Sequence, residues 1–406
     1  MRKTFAIEMS DNQSNKEAKR SNSLWRLMKE CVLEMLHRPI YWVGFFALPL
    51  FLFLFLASLM ESGLPEKIPA AIVDKDGTAT SREITQSLNG MQMVNLTMTC
   101  NSYTEARHAM QEGKIYGFFV IPENFESELL SMRKPVITFY TNMTYYVPAA
   151  LLFKTFKTTA LYAKAGIAVN VLEYAGAGSM NVAPLLNPIN VATRPIGNPG
   201  LNYAIYLCNS FIPCALQLMI LLVTAFTLGE EVKRGRSRRL LERTDGSILT
   251  ALFAKLFPQT IIWIIVVVFM ESWLYKWNGY PMNGSWGWLT LSEIMFVFAS
   301  QAFGVFLYGC LPSLRLSLSA CALLGILSFS LAAFSFPEQS MYPALSIFSW
   351  VVPIRYNFLI YSDQALNGLH IYYSRIWFAA YCVFMLLPFT MLWRIKRSYS
   401  NGIYVP

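Results

Sequence analysis

From Ile40 to Met60 the chain runs 21 residues without a charge, and that run decides most of what can follow. At 1.5 Å of rise per residue, such a helix covers the roughly 30 Å of a bilayer's hydrocarbon core. Five further apolar stretches have the same character: Leu201–Leu228, Ala251–Leu274, Trp286–Leu311, Leu316–Phe336 and Tyr373–Trp393. Trp42, Tyr203, Trp273, Trp277, Trp286, Trp288, Trp377 and Trp393 gather near their ends, as an interfacial aromatic belt requires. By length alone, 406 residues would suggest two or three soluble domains. Composition argues otherwise: 55% of residues are hydrophobic and only 14% charged, where a soluble chain carries roughly 25% charge. Much of the surface must therefore face lipid. A soluble enzyme, a disordered chain and a fibrous protein are excluded.

The net charge of +9 is informative through its placement. Residues 1–39 hold eight Lys/Arg against five Asp/Glu, and residues 229–250 hold six against four. Arg394, Lys396 and Arg397 add to the C-terminal end. A nucleic-acid binder would gather its excess on one folded face. Here the excess flanks apolar runs, as the positive-inside rule expects, and no nucleic-acid partner is implied. Six crossings put both termini, and the basic segments at 229–250 and 312–315, on the cytoplasmic side.

The fold class expected is therefore a polytopic α-helical membrane protein with six transmembrane helices. A small extracytoplasmic α/β domain sits between helices 1 and 2. Residues 1–39 form a cytoplasmic N-terminus carrying an amphipathic interfacial helix, and 40–60 the first crossing. Residues 61–200 form the external domain and a return helix starting at Tyr145. Residues 201–397 hold the other five crossings, a cytoplasmic loop at 229–250 and an outer region at 337–371; a tail occupies 398–406. In the interfacial helix Leu24, Leu27, Met28, Cys31, Val32, Met35 and Leu36 recur at spacings of three and four, while Trp25, Arg26, Lys29 and Glu30 suit the headgroup region. In the external segment, Pro69–Val73, Met93–Met98, Tyr116–Ile121 and Val136–Tyr140 read as strands. Thr80-x-x-Glu83 and Ser102-x-x-Glu105 read as capping boxes that open intervening helices.

The chain contains no Gly-x-x-x-x-Gly-Lys-Ser/Thr phosphate cradle, no His-Glu-x-x-His, no Gly-x-Ser-x-Gly and no dinucleotide fingerprint. Its seven cysteines and three histidines lack metal-ligand spacing, so no metal is expected and the cysteines read as packing residues. Only Cys100 lies in the hydrophilic segment, which therefore forms no internal disulfide. Glu271 and Glu293 fall within about two turns of outer helix ends and read as interfacial acids, which leaves a proton-driven carrier weakly supported. Gln217 and Gln301 are polar within apolar helices and call for helix–helix hydrogen bonds.

The sharpest feature follows the second crossing. It reads Gly229-Glu230-Glu231-Val232-Lys233-Arg234-Gly235, then Arg236-Ser237-Arg238-Arg239-Leu240-Leu241-Glu242, and leads to Lys255-Leu256-Phe257-Pro258. An acidic pair, a basic stretch, a Leu pair and a Lys-Leu-x-Pro entry in that order resemble the permease subunits of type 2 ABC exporters. Residues 233–243 are more basic than that family's usual pattern. The resemblance covers residues 24 to 397. Ala71-Ile72-Val73-Asp74-Lys75-Asp76, Ser81-Arg82, Glu105-Ala106, Gly117 through Pro122, and Phe125 resemble its large-loop branch. Asn198-Pro199-x-x-Asn202-Tyr203, Phe336-Pro337, Met341-Tyr342-Pro343, Trp350 through Pro353 and Gly368 continue the likeness.

The resemblance implies the membrane-spanning subunit of an exporter in a bacterial inner membrane, not itself an enzyme. It would pair as a homodimer or with a related permease, and ATP and Mg would be bound by a separate ABC ATPase subunit. Glu230, Glu231, Arg234, Gly235, Leu240 and Leu241 would form the coupling segment that meets the ATPase; the bland alternative is a solvated loop set by topology. Phe329, Phe334, Phe336, Asn202 and Tyr203 would line the path or its gate, against the alternative of helix packing. Short re-entrant helices are implied before the last crossing, against a plain external loop. The external domain's position suits capping the exit or meeting a periplasmic adaptor. Another function class fits the same features: a mechanotransmission or secretion-accessory protein that moves its external domain without passing a substrate.

Overall fold

The computed structural model describes residues 24–59, 65–131, 133, 135–145, 147–160, 202–334 and 338–404. They divide into two compact units, one made of residues 1–61 with 195–406 and the other of residues 62–194. Six helices among the described residues are long and apolar enough to cross a membrane.

Residues 24–36 form α1, followed by the first span α2 (Pro39–Ser58). Pro39 occupies the first helical position of α2, where its missing N–H would have had no partner in any case. Val43–Ala47 form a single π-helical turn within it. Phe45, Phe53 and Leu56 of α2 are buried, while Phe51, Leu54 and Phe55 are exposed, as suits a helix with one face on protein and one on lipid.

The second unit is a small α/β fold: β1 (Ile68–Asp74), α3 (Ala79–Asn89), β2 (Val94–Thr99), α4 (Tyr103–Gln111), β3 (Gly117–Ile121), α5 (Phe125–Leu130), β4 (Thr138–Thr141) and α6 (147–160). The sheet order is β2-β1-β3-β4, with β1 parallel to β2 and β3, and β4 antiparallel to β3. As a central parallel strand, β1 is apolar on both faces, which explains its unbroken Ala-Ala-Ile-Val run. Ile68, Ala70 and Ile72 pack with Ile84, Leu88, Leu152 and Phe156 on one side. Ala71 and Val73 pack with Ala106 and Ala109 on the other. Ser102 caps α4 as expected, accepting from the Glu105 amide at 3.2 Å. The cap of α3 is Thr78 rather than Thr80. The Asp74 carboxylate gathers the amides of Asp76 and Gly77, and Gly77 adopts φ +65, so the turn closes two residues early. The return helix expected from Tyr145 is described as α6 to residue 160, and its continuation lies outside the described residues.

The first unit continues with α7 (Tyr203–Lys233), α8 (Ser237–Arg243), α9 (Ile248–Trp277), α10 (Trp286–Cys310), α11 (Leu314–Leu331), the short α12 (Pro343–Ser349), α13 (Pro353–Leu366) and α14 (Ile371–Asn401). Two helices outrun their apolar stretches: α7 carries on through Gly229–Lys233, and α14 through residues 394–401. In the opposite sense, α11 stops at Leu331, and Ala333 takes φ +64 just beyond it, so the fifth span is shorter than the apolar run. The helices α12 and α13 form one pair bent by 83° at a short break, a broken span or a re-entrant loop. Gln217 of α7 is fully buried; it donates to Ser328 Oγ at 3.0 Å and accepts from the Ile354 amide at 2.7 Å. Gln301 of α10 is likewise bound, to Thr260 of α9.

Close helix approach in this unit depends on glycine. A Cβ at Gly229 of α7 would lie 2.9 Å from the Leu314 Cα, closer than real contacts allow. Gly229→Ala should therefore destabilise the chain by about 1–3 kcal/mol, the usual cost of overpacking. A lowered melting temperature of the detergent-solubilised variant, with Gly287→Ala unaffected as a control in open surroundings, is the expected outcome.

Candidate functional site

The end of α7 is closed by a complete Schellman turn. Gly235, at φ +67, donates to Val232 O at 3.0 Å, and Arg236 donates to Glu231 O at 3.0 Å. Only glycine takes that backbone conformation freely, so Gly235 fixes where α7 ends and how α8 leaves it. The turn also carries Arg236 back toward the acids that precede it.

Those acids are not on the surface. Glu230 and Glu231 are 8% and 4% exposed. Glu231 accepts from Arg236 at 2.7 Å and is bonded to Lys255 of α9, itself 5% exposed. Glu230 is paired with Arg234 at 2.7 Å and with Arg38, in the link between α1 and α2. Glu34 near the end of α1 completes the cluster, binding Arg38, Arg236 and, at 3.4 Å, Lys255. Three acids and four bases from α1, the α1–α2 link, α7, the α7–α8 turn and α9 thus close on one another. Burial would push the Glu34 carboxyl up, but Lys255, Arg236 and Arg38 together hold it below the ordinary carboxylate range. Arg243 of α8 forks both guanidinium nitrogens onto Glu30 at 2.7 and 2.8 Å, and the hydrogen bonds keep that carboxyl low as well.

Apolar packing reinforces the charges. Leu27, Met28 and Cys31 of α1 are buried with Leu228, Val232, Leu240 and Ile248. Their spacing of one, three and four gives α1 a stripe that faces this cluster, while Trp25 (67% exposed), Leu33 and Leu36 form a second apolar surface turned away. Arg26 and Lys29 are exposed. In α8, Leu240 is buried and Leu241 half-buried against the same cluster. Ser237 and Arg238 bind the carbonyls of Tyr399 and Ser400, which ties α8 to the far end of α14. Lys233, Arg234, Arg238, Arg239 and Glu242 make up the exposed face.

The residues expected along a path lie elsewhere in the unit. Asn202 caps α7, accepting from the Ala204 amide at 2.8 Å, and the Tyr203 ring lies 5.6 Å from that of Tyr206. Phe329 and Phe334 both contact Phe211 with centroids 5.4 Å apart, and Phe334 is buried. Phe336 lies outside the described residues. Sequence reasoning did not single out Glu34, Arg38, Arg236 or Lys255 as one group. The signal was weak: each is an ordinary charge near a helix end, and the segments that bring them together are up to about two hundred residues apart. Glu271 and Glu293, about two turns from their helix ends, are buried against other parts of the unit, at 6% and 9% exposed.

The model of the family described as ABC-2 family transporter protein matches residues 39–393, nearly nine-tenths of the chain. No curated protein matches it. The match begins at Pro39, so α1 and its Glu30 and Glu34 precede it.

Removing one partner of a buried ion pair leaves a charge without compensation and typically costs about 3–5 kcal/mol, whereas replacing both with apolar residues is often neutral. Lys255→Met should therefore lower stability by a few kcal/mol, discounted for the help that Arg236 gives Glu231, and adding Glu231→Leu should restore most of the loss. Melting of the two variants against the native chain, read as a double-mutant cycle, checks this. The pH dependence has a sign as well. A carboxyl held low contributes stability above its ordinary range and loses it as pH falls through the folded value, so acid should loosen α1, and Glu34→Gln should flatten that response.

Proposed function

The chain belongs to the ABC-2 transporter family, and from that premise we propose that this multi-pass membrane protein is the path-forming subunit of an ATP-driven exporter. A permease of this family works with an ABC ATPase subunit. In our reading that subunit holds the ATP and Mg, and its groove receives the exposed face of α8. Two copies of the chain, or one with a related permease, enclose the path in a bacterial inner membrane. The N- and C-termini and α8 lie on the ATPase side. The α/β unit lies outside, where it caps the exit or meets a periplasmic adaptor.

One observation carries the coupling role. The charged segment 230–243 is divided into an inward set, Glu230, Glu231 and Arg236, locked to α1 and α9, and an outward set that includes Lys233, Arg239 and Glu242. Topology alone asks for exposed cations. It gives no reason to bury two acids and pair them with three separate segments. A helix anchored in this manner moves only with the helices it is bonded to, so a displacement imposed on α8 is delivered to α7 and α9 as a rigid-body motion.

Arg239→Glu and Glu242→Arg alter the exposed face and leave the inward pairs intact. Each should reduce export by about tenfold, equivalent to roughly 1.4 kcal/mol of lost partner interaction, at unchanged membrane abundance. Transport into sealed inside-out vesicles holding the chain and its ATPase is the measurement, and native-level export by both variants would refute coupling through α8. The chain reconstituted alone should move nothing uphill; unaided uphill flux would remove the ATPase from the mechanism.

A further inference from the structure

A second buried polar cluster lies in the same unit, among α7, α9, α10 and α13, and the coupling reading makes no use of it. A cavity of about 30 Å³ is lined by Glu271 of α9, Glu293 of α10, Asn357 of α13, Asn209 of α7, and Tyr275 and Tyr361. Its remaining walls are apolar. Glu271 accepts from the Thr290 hydroxyl at 3.0 Å through Oε1, and Glu293 accepts from the Asn357 amide at 2.8 Å through Oε1. Glu271 Oε2 and Asn357 Oδ1 are buried and have no hydrogen-bond partner among the described residues. The two residues are 6% and 1% exposed. No ion pair reaches either acid among the described residues.

Two carboxylates on one small apolar-walled cavity cannot both keep a full charge without compensation, because like charges in a poorly solvated site raise one another's energy. Both of these atoms are acceptors; the buried Tyr381 hydroxyl, also without a partner among the described residues, is a donor beside Asn357, so Glu271 Oε2 is the atom that still lacks a positive group or a donor. The volume admits one water-sized occupant and excludes an organic cation. An open cleft of about 660 Å³ lies next to it in the fold, lined by Ser272, Lys276, Trp286 and Thr290. Thr290 therefore faces the cleft and bonds Glu271 at once. Ser272 is the residue after Glu271, and Lys276, held over the Trp286 ring, is the cation nearest the mouth in sequence.

We propose that this cavity is a binding site for one small monovalent cation, a proton or an alkali ion, held between the Glu271 and Glu293 carboxylates with the Asn357 carbonyl as third oxygen. The occupant cancels one of the two charges, and the Thr290 hydroxyl and Asn357 amide donors disperse the other. The other titratable groups facing the pair are Tyr275 of α9, Tyr361 of α13 and Tyr381 of α14, with Lys276 at the cleft. Tyr275 is already committed to Asn209, to which it donates at 2.9 Å. The only nearby guanidinium on α13, Arg355, is spent on Glu338. Because the ligands come from α9, α10 and α13, occupancy ties two spans to the broken helix pair. The site stands apart from export, since its test reads binding and modification.

Dicyclohexylcarbodiimide, which adds to protonated carboxyl groups in apolar surroundings, is the probe. The full-length chain in lipid nanodiscs is treated over a range of pH with and without sodium chloride, choline chloride serving as the ionic-strength control, and the adducts are mapped by mass spectrometry. Modification of Glu271 or Glu293 that rises as pH falls is the expected result. Suppression by sodium at fixed pH identifies an alkali ion as occupant, and indifference to sodium identifies a proton. A second readout uses Glu271→Gln/Glu293→Gln against a Glu34→Gln background, whose melting temperature should lose the stabilisation by mild acid or sodium that Glu34→Gln alone still shows. Absence of adduct on both acids at every pH, or an unchanged melting response in the double variant, overturns the site.

Discussion

The ion pair between Glu231 and Lys255 is the contact on which the arrangement of this membrane unit turns. Both side chains are almost fully buried, in a part of the molecule where unpaired charge is expensive. Losing either residue leaves the other with a single remaining partner, Arg236 for Glu231 or Glu34 for Lys255, so the end of α7 and the start of α9 favour one geometry. Arg236 and Glu34 extend the bond to the α7–α8 turn and to α1. Such a cluster adds little net stability over an apolar core of the same shape. What it supplies is register: α1, α8 and α9 each have one position in which the charges are matched, and sliding any of them by a turn breaks several pairs together.

The parts of this fold that were legible in the sequence are those set by local pattern. All four strands fall within about two residues of where alternation and β-propensity placed them, because β1 and β3 are apolar on both faces and their neighbours are not. The six spans were legible from hydropathy for the same reason. Their ends were not. Gly229–Lys233 and residues 394–401 are helical although charged, because their polar groups find partners on segments remote in sequence: Arg38 for Glu230, Lys255 for Glu231, Ser237 for the Tyr399 carbonyl. Composition within a window cannot register a partner some two hundred residues away. The Leu240–Leu241 pair shows the same limit. Sequence reads two equivalent leucines on one edge, and packing against Val232, Ile248 and Tyr399 buries one more than the other.

The enclosure of Glu271 and Glu293 went unread for a related reason. Counting residues from a helix end gives a depth along one helix, and says nothing about what lies beside it. The bent pair α12 and α13 folds back over this region and brings Asn357 to Glu293 and Tyr361 to Ile205, which converts two acids near helix ends into enclosed ones. The bend is itself polar work: Pro353 opens α13, and backbone groups freed at the break must be satisfied where no water is at hand. Gln217 meets that demand by accepting from the Ile354 amide, and Glu338 gathers Arg355, Trp350 and Ser346 around the other side of the break.

These two polar regions share one helix. At one end of α7, Glu230 and Glu231 are joined to α1 and α9; near its middle Gln217 holds α11 and α13; toward its start Asn209 accepts from Tyr275, and the Ile205 carbonyl from Tyr361. A helix held by directional bonds at three levels cannot rotate at one end and remain still at the other. The exception is Pro213, inside α7, which removes a backbone hydrogen bond between the Asn209 and Gln217 levels and makes bending cheapest there. A displacement imposed at the α8 end would, with that proline in place, carry α7 as a unit up to Gln217, with α11 and the α13 backbone, and be taken up by bending between Gln217 and the Asn209 level. That places the softest point of the helix beside the Glu271–Glu293 cavity, which Pro213 itself helps to line. Geometry at the cavity would then follow what happens at the far end of α7, at a place where two buried carboxyls have no ion-pair partner among the described residues.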